Sequence, residues 1–466
     1  MEKKKVAILG AGITGLAAGL YLSRKDFDVH IFERKDRIGG LVGGKIINNN
    51  VYEYGPHFFH TNNPQVLKEI KDIVGNELKN FNRTILIKFM DNYFTFPLSI
   101  FEVLKKLPRK IVARAICSFI SSNFLKVFKK KRPENSETIL LDFYGKVLYE
   151  LFFKSYIKSV WGIGPEKFSP DFAKQRIPKA SAAVFLNKIL SPIRVKFSKK
   201  TSKNFVENVD GDHYTTKRGY RGIVEKIAKT IVDNGGKIHL NSEIAEIMVN
   251  DNSVRGLGIK TNNSSNNNNK ALQFDGFINT LPISELIKMM VPKVPDDIIN
   301  SVDFLEYRAL VFVGILINKP KVLPVSFMYF RQHSFNRVYD SSYFGHDTVN
   351  PDTTILVAEI SCSVGDKWWN DEEYCKKMVI DDLLRENIIE KDDILEAHAY
   401  RYRFGYPIYK LGYEEHLKKI IDFIDNIKNL ETAGRQGLFQ YINGHIAIQM
   451  GFKAAENLIK AIDNLE

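Results

Sequence analysis

Two histidines stand three residues apart in the apolar segment "YGPHFFHT", which runs from Tyr54 to Thr61. A histidine can take up or release a proton near neutral pH, so His57 and His60 are candidates for catalysis. A histidine in an apolar run is also a common core residue, and the segment alone fits both interpretations. No Asp, Cys or third His accompanies the pair in a ligand pattern, so the spacing predicts no metal site. The choice depends on what the preceding residues bind.

A glycine motif precedes the histidines. Gly10, Gly12 and Gly15 form the pattern G-x-G-x-x-G directly after an apolar stretch. In a strand–turn–helix unit these glycines allow a tight turn, leave room for a diphosphate and let the helix pack on the strand. Glu33 follows at the end of a second predicted strand, where a carboxylate can bind ribose hydroxyls. The order of these signals predicts a dinucleotide site.

The residues after Glu33 distinguish between cofactors. Arg34 follows the acid, and the pair Gly39-Gly40 comes shortly afterwards. With the glycine motif, this pattern resembles the second signature of FAD enzymes of the glutathione-reductase type, particularly the flavin amine oxidase superfamily. The resemblance implies that these residues border the diphosphate and the flavin, which a nicotinamide dehydrogenase does not require. We therefore expect FAD rather than NAD.

The C-terminal segment "TAGRQGLFQYINGHIAIQMG" is also similar to this superfamily. It contains Gly434 and Arg435, then Asn443 at the start of a predicted helix. In the superfamily the final helix directs its N-terminus at the flavin, and the positive end of a helix stabilises negative charge on reduced flavin. The resemblance implies that these three residues bind the cofactor. The alternative is an ordinary amphipathic terminal helix.

Two segments resemble the UDP-galactopyranose mutases within this superfamily. "YGPHFFHTNNPQV" looks like their histidine signature, which implies that His57 and His60 lie beside the flavin. "YIKSVWGIGPEKFSPDFAKQRIP" resembles the mutase segment that places Trp161 and Arg176 in the substrate domain. Mutases soon carry another arginine that binds the sugar nucleotide, whereas this chain continues with Lys179-Ala180. That departure weakens the transfer of mutase activity.

Later segments, such as "AYRYRFGYPIYKLGYEEHL", look more like protoporphyrinogen-oxidase-like flavoproteins. Arginines and tyrosines in this half of the chain suit a diphosphate and a sugar or base. Each of them could equally be a surface charge or an interface aromatic. The candidate substrate contacts are Arg308, Arg337, Tyr402, Arg403 and Tyr406. We take Arg308, with Arg176, as the first candidates for holding a diphosphate.

The net charge of +13 is concentrated in residues 105–132, which hold ten basic residues and no acidic one. A basic amphipathic helix can lie on an anionic membrane surface, although a partly buried helix with solvated ends fits the same pattern. No nucleic-acid reader motif accompanies the charge. The three scattered cysteines, Cys117, Cys362 and Cys375, favour a reducing compartment. We expect a cytoplasmic protein whose basic segment can contact the inner face of the membrane.

Strand, helix and strand patterns at the start, and again near residues 219–250, predict an α/β fold. The resemblance implies a Rossmann-like FAD-binding domain of the glutathione-reductase type, interleaved with an α+β substrate domain. We assign residues 1–95, 205–300 and 395–466 to the FAD-binding domain. Residues 96–204 and 301–394 form the predicted substrate domain.

The resemblance implies an FAD-dependent enzyme and leaves two activities open. One is a mutase-like reaction through reduced flavin on a nucleotide-linked or lipid-linked sugar in glycan biosynthesis, with a reductant such as NAD(P)H. The other is an oxidase or desaturase that takes hydride from an apolar or membrane-derived substrate. A binding protein with a vestigial FAD site is a third alternative, which no motif supports.

Overall fold

The computed structural model describes residues 3–96, 102, 105–125, 134–176, 212–261, 272–345 and 348–464, without the side chains of residues 120, 122–125, 176 and 261. Within these ranges the α-helices are, in chain order, Ile13–Ser23, Pro64–Val74, Arg109–Leu125, Ser136–Leu148, Ser155–Trp161, Pro170–Arg176, Gly219–Asp233, Ile283–Lys288, Asp296–Phe304, Lys367–Asn370, Glu372–Arg385, Tyr413–Asp425, Gly434–Gly437 and Gly444–Asp463. The strands form two large sheets and three small ones.

A five-stranded parallel sheet, here called the nucleotide sheet, has the first strand at its centre. Its order is Lys237–His239, Phe27–Phe32, Lys4–Leu9, Gly276–Asn279 and Leu430–Thr432. Alternate side chains of a strand point to opposite faces, so a parallel sheet covered on both faces needs apolar residues throughout. Val6 and Ile8 accordingly join one core, and Ala7 and Leu9 join the other.

Helices cover one face of the nucleotide sheet. Ile13–Ser23 packs between Gly219–Asp233 and the C-terminal helix Gly444–Asp463. The other face carries a small sheet of Ser253–Thr261, Ser242–Asn250 and Met290–Val291, together with shorter helices. The loops that follow Leu9, Phe32 and Asn279 therefore meet at one edge, where ligands of such sheets bind.

A seven-stranded mixed sheet, here called the large sheet, forms the second unit. Its order is Ile394–Ile408, Glu306–Ile317, Thr354–Cys362, Arg337–Asp340, Phe327–Tyr329, Ile85–Phe89 and Asn92–Thr95. Helix Glu372–Arg385 covers one face. The other face is aromatic and packs on the hairpin of Gly44–Ile47 and Asn50–Glu53. The histidine segment that follows this hairpin consequently runs between the two units.

The basic segment forms a helix, Arg109–Leu125, in its described part. Ala115 and Phe119 are buried, and the backbone of Phe119 lies against Gly145 of the next helix, while Lys110 and Arg114 are exposed. Residues 126–132 lie outside the described residues, and contact with a membrane stays a prediction. Among the described residues, no helix is both long and apolar enough to cross a bilayer.

The α/β fold class is confirmed. The apolar stretch before Gly10 forms strand Lys4–Leu9, and the last helix begins at Gly444, directly after the predicted start at Asn443. The domain boundaries stay a prediction. In two places, strands that lie mostly within the predicted FAD-binding domain belong to the large sheet. Strands Ile85–Phe89 and Asn92–Thr95, and strand Ile394–Ile408, pair within the large sheet rather than the nucleotide sheet. Local patterns cannot report such pairing, because the partners are distant in sequence.

Candidate FAD site

A cavity opens at the edge of the nucleotide sheet, between the two units. It encloses about 1630 Å³ of space outside the protein atoms, its open mouth included. The first glycine loop, the end of the second strand, the turn at residues 39–42, the histidine segment and the start of the C-terminal helix all line it. Of the predicted site residues, the cavity brings together Gly10, Gly12, Glu33, Arg34, Gly39, Gly40, His57, His60, Tyr402, Arg435 and Asn443.

The first glycine loop has the space that a bound diphosphate needs. Apart from its chain neighbours, a Cβ added at Gly12 would meet no atom of the described residues within 4 Å, although Gly12 lines the cavity. A Cβ at Gly15 would lie 2.0 Å from the carbonyl oxygen of Gly10, so this glycine serves helix packing. A Cβ at Gly40 would lie 3.2 Å from Cα of Gly12, so the turn at residues 39–42 packs closely against the first glycine loop. The open side of Gly12 therefore faces the ligand.

Glu33 stands at the carboxyl end of strand Phe27–Phe32. One carboxylate oxygen accepts a hydrogen bond from the backbone N–H of Ala11 at 3.1 Å, and the other accepts one from Lys35 at 3.0 Å. These bonds fix the orientation of the side chain. A carboxylate has about four acceptor sites, so Glu33 retains capacity for two ribose hydroxyls. Arg34 lines the cavity beside it.

His57 is held neutral beside two cations. Burial, with Arg337 and Arg435 nearby, lowers its pKa to about 3. Its Nδ1 atom is buried and has no hydrogen-bond partner in the described part of the chain. A neutral imidazole with a spare ring nitrogen can bond to a ligand in the cavity without carrying charge.

His60 lies in a group of aromatic rings. It is 5% exposed, and its ring centroid is 4.4 Å from that of His445 in the first turn of the C-terminal helix. Burial, followed by the charges of His445, His213 and Arg83, lowers its pKa to about 3. Both histidines line the cavity, so their positions agree with the resemblance, while their roles stay predictions.

Arg435 lies on a turn that Gly434 makes possible. Gly434 has φ +84°, and a Cβ there would lie 2.5 Å from Oγ1 of Thr14, so a larger residue would collide with the glycine-loop helix. Arg435 donates from Nε and Nη2 to the carbonyl oxygen of Ile442. The guanidinium lies 4.7 Å from the ring centroid of Tyr441. Its Nη1 atom has no hydrogen bond within the described residues.

A polar cluster adjoins the cavity at His57. Arg337 pairs with Glu359 across neighbouring strands of the large sheet, and the hydroxyl of Tyr406 donates to the same carboxylate at 3.0 Å. Burial opposes the charge on Arg337, but the Glu359 carboxylate holds its pKa above the usual value. Nε of Arg337 is buried without a partner among the described residues. We call Arg337, Glu359, Tyr406 and Arg435 the polar cluster.

Trp161 and Arg176 end neighbouring helices, Ser155–Trp161 and Pro170–Arg176. The Trp161 ring lies 5.4 Å from that of Tyr406 and 6.1 Å from that of Tyr441, both centroid to centroid. Trp161 thus backs the polar cluster rather than lining the cavity. The side chain of Arg176 lies outside the described residues, and its role stays a prediction.

Arg308 does not reach the cavity. Its Nε donates to the carbonyl oxygen of Val160 at 3.0 Å, Nη2 to that of Ser361 at 3.0 Å, and Nη1 to Oγ of Ser363 at 2.8 Å. These bonds join the large sheet to the end of helix Ser155–Trp161. Three of the five N–H groups of Arg308 therefore bond protein atoms, which gives this side chain a structural role, and a contact with the diphosphate stays a prediction.

The residues present fit FAD. Besides the space at Gly12, three buried polar atoms of cavity-lining residues have no partner in the described part of the chain: Nδ1 of His57, Oη of Tyr220 and Oε1 of Gln436. Buried polar groups are normally hydrogen-bonded, so these atoms indicate a polar ligand. Among the described residues, no three His, Cys, Asp or Glu side chains are grouped as metal ligands.

Sequence reasoning did not identify Tyr220, Gln436 or Glu359. Tyr220 sits in "RGYRG", where nothing local separates it from a core aromatic. Glu359 faces Arg337 only through the register of two antiparallel strands. The unpartnered hydroxyl of Tyr220 and the pairing of Glu359 with Arg337 can be recognised only in the tertiary structure.

The curated relatives that match in sequence include a mutase and a desaturase. A protein described as a probable UDP-galactopyranose mutase of Klebsiella pneumoniae is 28% identical over 184 residues, which cover 38% of this chain and 46% of the relative. A 4,4'-diapophytoene desaturase of Staphylococcus haemolyticus is 23% identical over 337 residues, covering 66% and 63%. The chain thus matches less than half the length of the first relative and under two thirds of the second.

In structure, the chain is similar to a crystal structure of reduced UDP-galactopyranose mutase. The TM-score is 0.80 at 18% identity, and the alignment covers 99% of this chain and 94% of the other. This likeness shows the fold. The model of the family described as "Flavin containing amine oxidoreductase" matches residues 13–381, most of the chain. The cofactor prediction, FAD, is confirmed, and the chain belongs to the flavin containing amine oxidoreductase family.

Proposed function

We propose that the protein isomerises a sugar carried on a nucleotide or lipid diphosphate, with its FAD in the reduced state. The observation that carries this proposal is the polar cluster next to His57. Guanidinium groups bind diphosphates through charge-assisted hydrogen bonds, and their planar donors suit two oxygens at once. A cluster with two arginines, a carboxylate and a tyrosine, of which Arg435 lines the cavity, suits a charged, hydroxylated substrate better than an apolar one.

The arginines of the cluster have donors to spare. Nε of Arg337 and Nη1 of Arg435 bond no atom of the described residues. Nη2 of Arg337 donates to Glu359, and Tyr406 donates to the same carboxylate, so the guanidinium is oriented before a ligand arrives. Preorganised donors lose little freedom on binding and hold the diphosphate where the sugar must react.

Glu359 and Tyr406 also have a direct role in this proposal. The carboxylate can accept a sugar hydroxyl, and the tyrosine ring gives the sugar an apolar face. Reduced flavin supplies a nucleophile, whereas oxidised flavin accepts hydride. His57 stays neutral at working pH, since its pKa is about 3, and therefore offers a hydrogen bond rather than a charge. A reductant such as NAD(P)H would keep the cofactor reduced.

The second candidate is an FAD oxidoreductase that takes hydride from an apolar or membrane-derived substrate. The alignment with the diapophytoene desaturase favours it, because that alignment covers more of the chain than the mutase alignment does. The basic segment 105–132 would bring such an enzyme to a membrane surface. The missing second arginine near Arg176 favours it as well.

The proposal is tested by adding a panel of UDP- and dTDP-sugars to holoenzyme, oxidised or reduced with dithionite, without oxygen. We expect one sugar nucleotide to bind and isomerise only with reduced enzyme. Arg337→Lys keeps a charge beside Glu359 but loses the planar fork, so binding should weaken about tenfold. Arg24→Lys, at an exposed pair with Glu69, is the matched control and should bind normally.

Arg176→Ala tests the remaining candidate for the diphosphate. A charge-assisted contact contributes on the order of 2 kcal/mol, so binding should weaken by roughly thirtyfold. If no sugar nucleotide binds or isomerises, and an apolar donor instead bleaches the oxidised flavin, the oxidoreductase is the function.

A further inference from the structure

Tyr220 has a buried hydroxyl that the protein leaves unused. The side chain is 1% exposed and lines the FAD cavity. Its Oη atom has no hydrogen-bond partner in the described part of the chain. A buried hydroxyl without a partner costs free energy, so its presence points to a partner in the bound cofactor.

This hydroxyl lies at the first turn of the C-terminal helix. A Cβ added at Gly444, the first residue of Gly444–Asp463, would lie 2.6 Å from Oη of Tyr220. Gly444 lines the same cavity. The first N–H groups of a helix lack partners within the helix, and the helix dipole makes this end positive. Two independent features, a free phenolic donor and a long helix, therefore point to the same place.

Tyr220 is held in position and keeps its proton. It is the second residue of helix Gly219–Asp233, and its ring packs on Phe59 with centroids 6.5 Å apart. Gly219 before it has φ +62°, and a Cβ on Gly345 would lie 2.4 Å from its nitrogen, so the backbone is tightly enclosed. Burial raises the pKa of the phenol above its usual value. Near neutral pH the group is consequently a hydrogen-bond donor.

We propose that Oη of Tyr220 donates a hydrogen bond to a negatively charged oxygen of FAD, beside the first turn of the C-terminal helix. Such oxygens belong to the diphosphate and, in reduced flavin, to the pyrimidine end of the ring system. The inference rests on the FAD site and is independent of the sugar chemistry, so its test does not depend on finding a substrate.

Tyr220→Phe removes one oxygen and keeps the ring. FAD retained by the holoenzyme after dialysis measures cofactor affinity. Titration with sulfite, which forms an anionic adduct with oxidised flavin, measures how well the site stabilises negative charge on the ring. A diphosphate contact predicts at least tenfold weaker FAD binding with unchanged sulfite affinity. A contact to the ring predicts at least tenfold weaker sulfite binding with FAD retained.

Tyr214→Phe is the matched control. Its ring also packs on Phe59, with centroids 6.2 Å apart, but its hydroxyl faces Asp212 and the residue does not line the cavity. Both affinities should stay at the wild-type values. Gly444→Ala approaches the contact from the other side, since its methyl group would meet Oη, and it should weaken the same affinity. If both affinities in Tyr220→Phe and Gly444→Ala stay within twofold of wild type, the inference is overturned.

Discussion

Replacing Gly12 by Val should remove FAD while leaving the fold intact. Gly12 has φ −70° and ψ 171°, an extended conformation that valine adopts readily. Apart from its chain neighbours, none of the described residues has an atom within 4 Å of the added Cβ. The free energy of unfolding of the Gly12→Val apoprotein should therefore lie within about 1 kcal/mol of the wild-type value. The new methyl groups would occupy the space left for the diphosphate, so the holoprotein should lose the stabilisation that FAD provides. That stabilisation is about 2.7 kcal/mol when FAD is at 100 times its Kd.

Gly15→Ala is the contrasting variant. Its Cβ would stand 2.0 Å from the carbonyl oxygen of Gly10, so the helix must shift, at a cost of about 1–3 kcal/mol with or without cofactor. The assay is urea unfolding of both variants and wild type, as apoprotein and with FAD, alongside the visible absorbance of bound flavin. The reasoning is refuted if Gly12→Val stays yellow, or if it destabilises the apoprotein as much as Gly15→Ala does.

Three further predictions concern other parts of the chain. The pKa of His60 is lowered to about 3 from its ordinary 6.5, so the unfolded chain takes up the proton first and stability falls as pH drops from 6.5 to 3. In His60→Gln this dependence of the unfolding free energy on pH should be smaller by about 1.4 kcal/mol per pH unit, as measured by unfolding at several pH values. An unchanged dependence would contradict the assignment. Arg308→Met should lower the unfolding free energy by about 2–5 kcal/mol, because it removes the hydrogen bonds to the buried carbonyl groups of Val160 and Ser361. The flavin spectrum should stay unchanged. A variant with wild-type stability and weakened substrate binding would instead show that Arg308 binds the diphosphate. In liposome flotation, residues 105–132 should bind vesicles that contain anionic lipid, and the binding should weaken with salt. Each basic residue near the membrane surface contributes about 1 kcal/mol to this binding. Equal recovery with neutral vesicles would favour a solvated helix.

Much of the FAD site is predictable from sequence because its signals are local. The strand, glycine loop and helix at residues 4–23 lie within one continuous segment, and Glu33 follows at a fixed distance. The C-terminal helix begins at Gly444, with the predicted Asn443 as its N-cap. The resemblance to known flavoproteins supplied what periodicity could not, namely the relation between this helix and the first glycine loop.

The substrate side was less predictable because its contacts are distant in sequence. Its residue type makes Arg308 a candidate for a diphosphate, but its guanidinium bonds residues 53 to 148 positions away. Glu359 was missed, since only strand register places it against Arg337. Tyr220 was missed because the identity of a buried aromatic residue does not reveal whether its hydroxyl has a partner.

The most direct test of the proposed function is the redox dependence of turnover. Holoenzyme is incubated anaerobically with the sugar-nucleotide panel, fully oxidised in one sample and fully reduced in the other, and the products are separated by chromatography while the flavin spectrum is recorded. We expect an isomeric sugar nucleotide from the reduced sample alone, with no net change in flavin oxidation state. Turnover by the oxidised enzyme, with bleaching of its flavin by the substrate, would contradict the account.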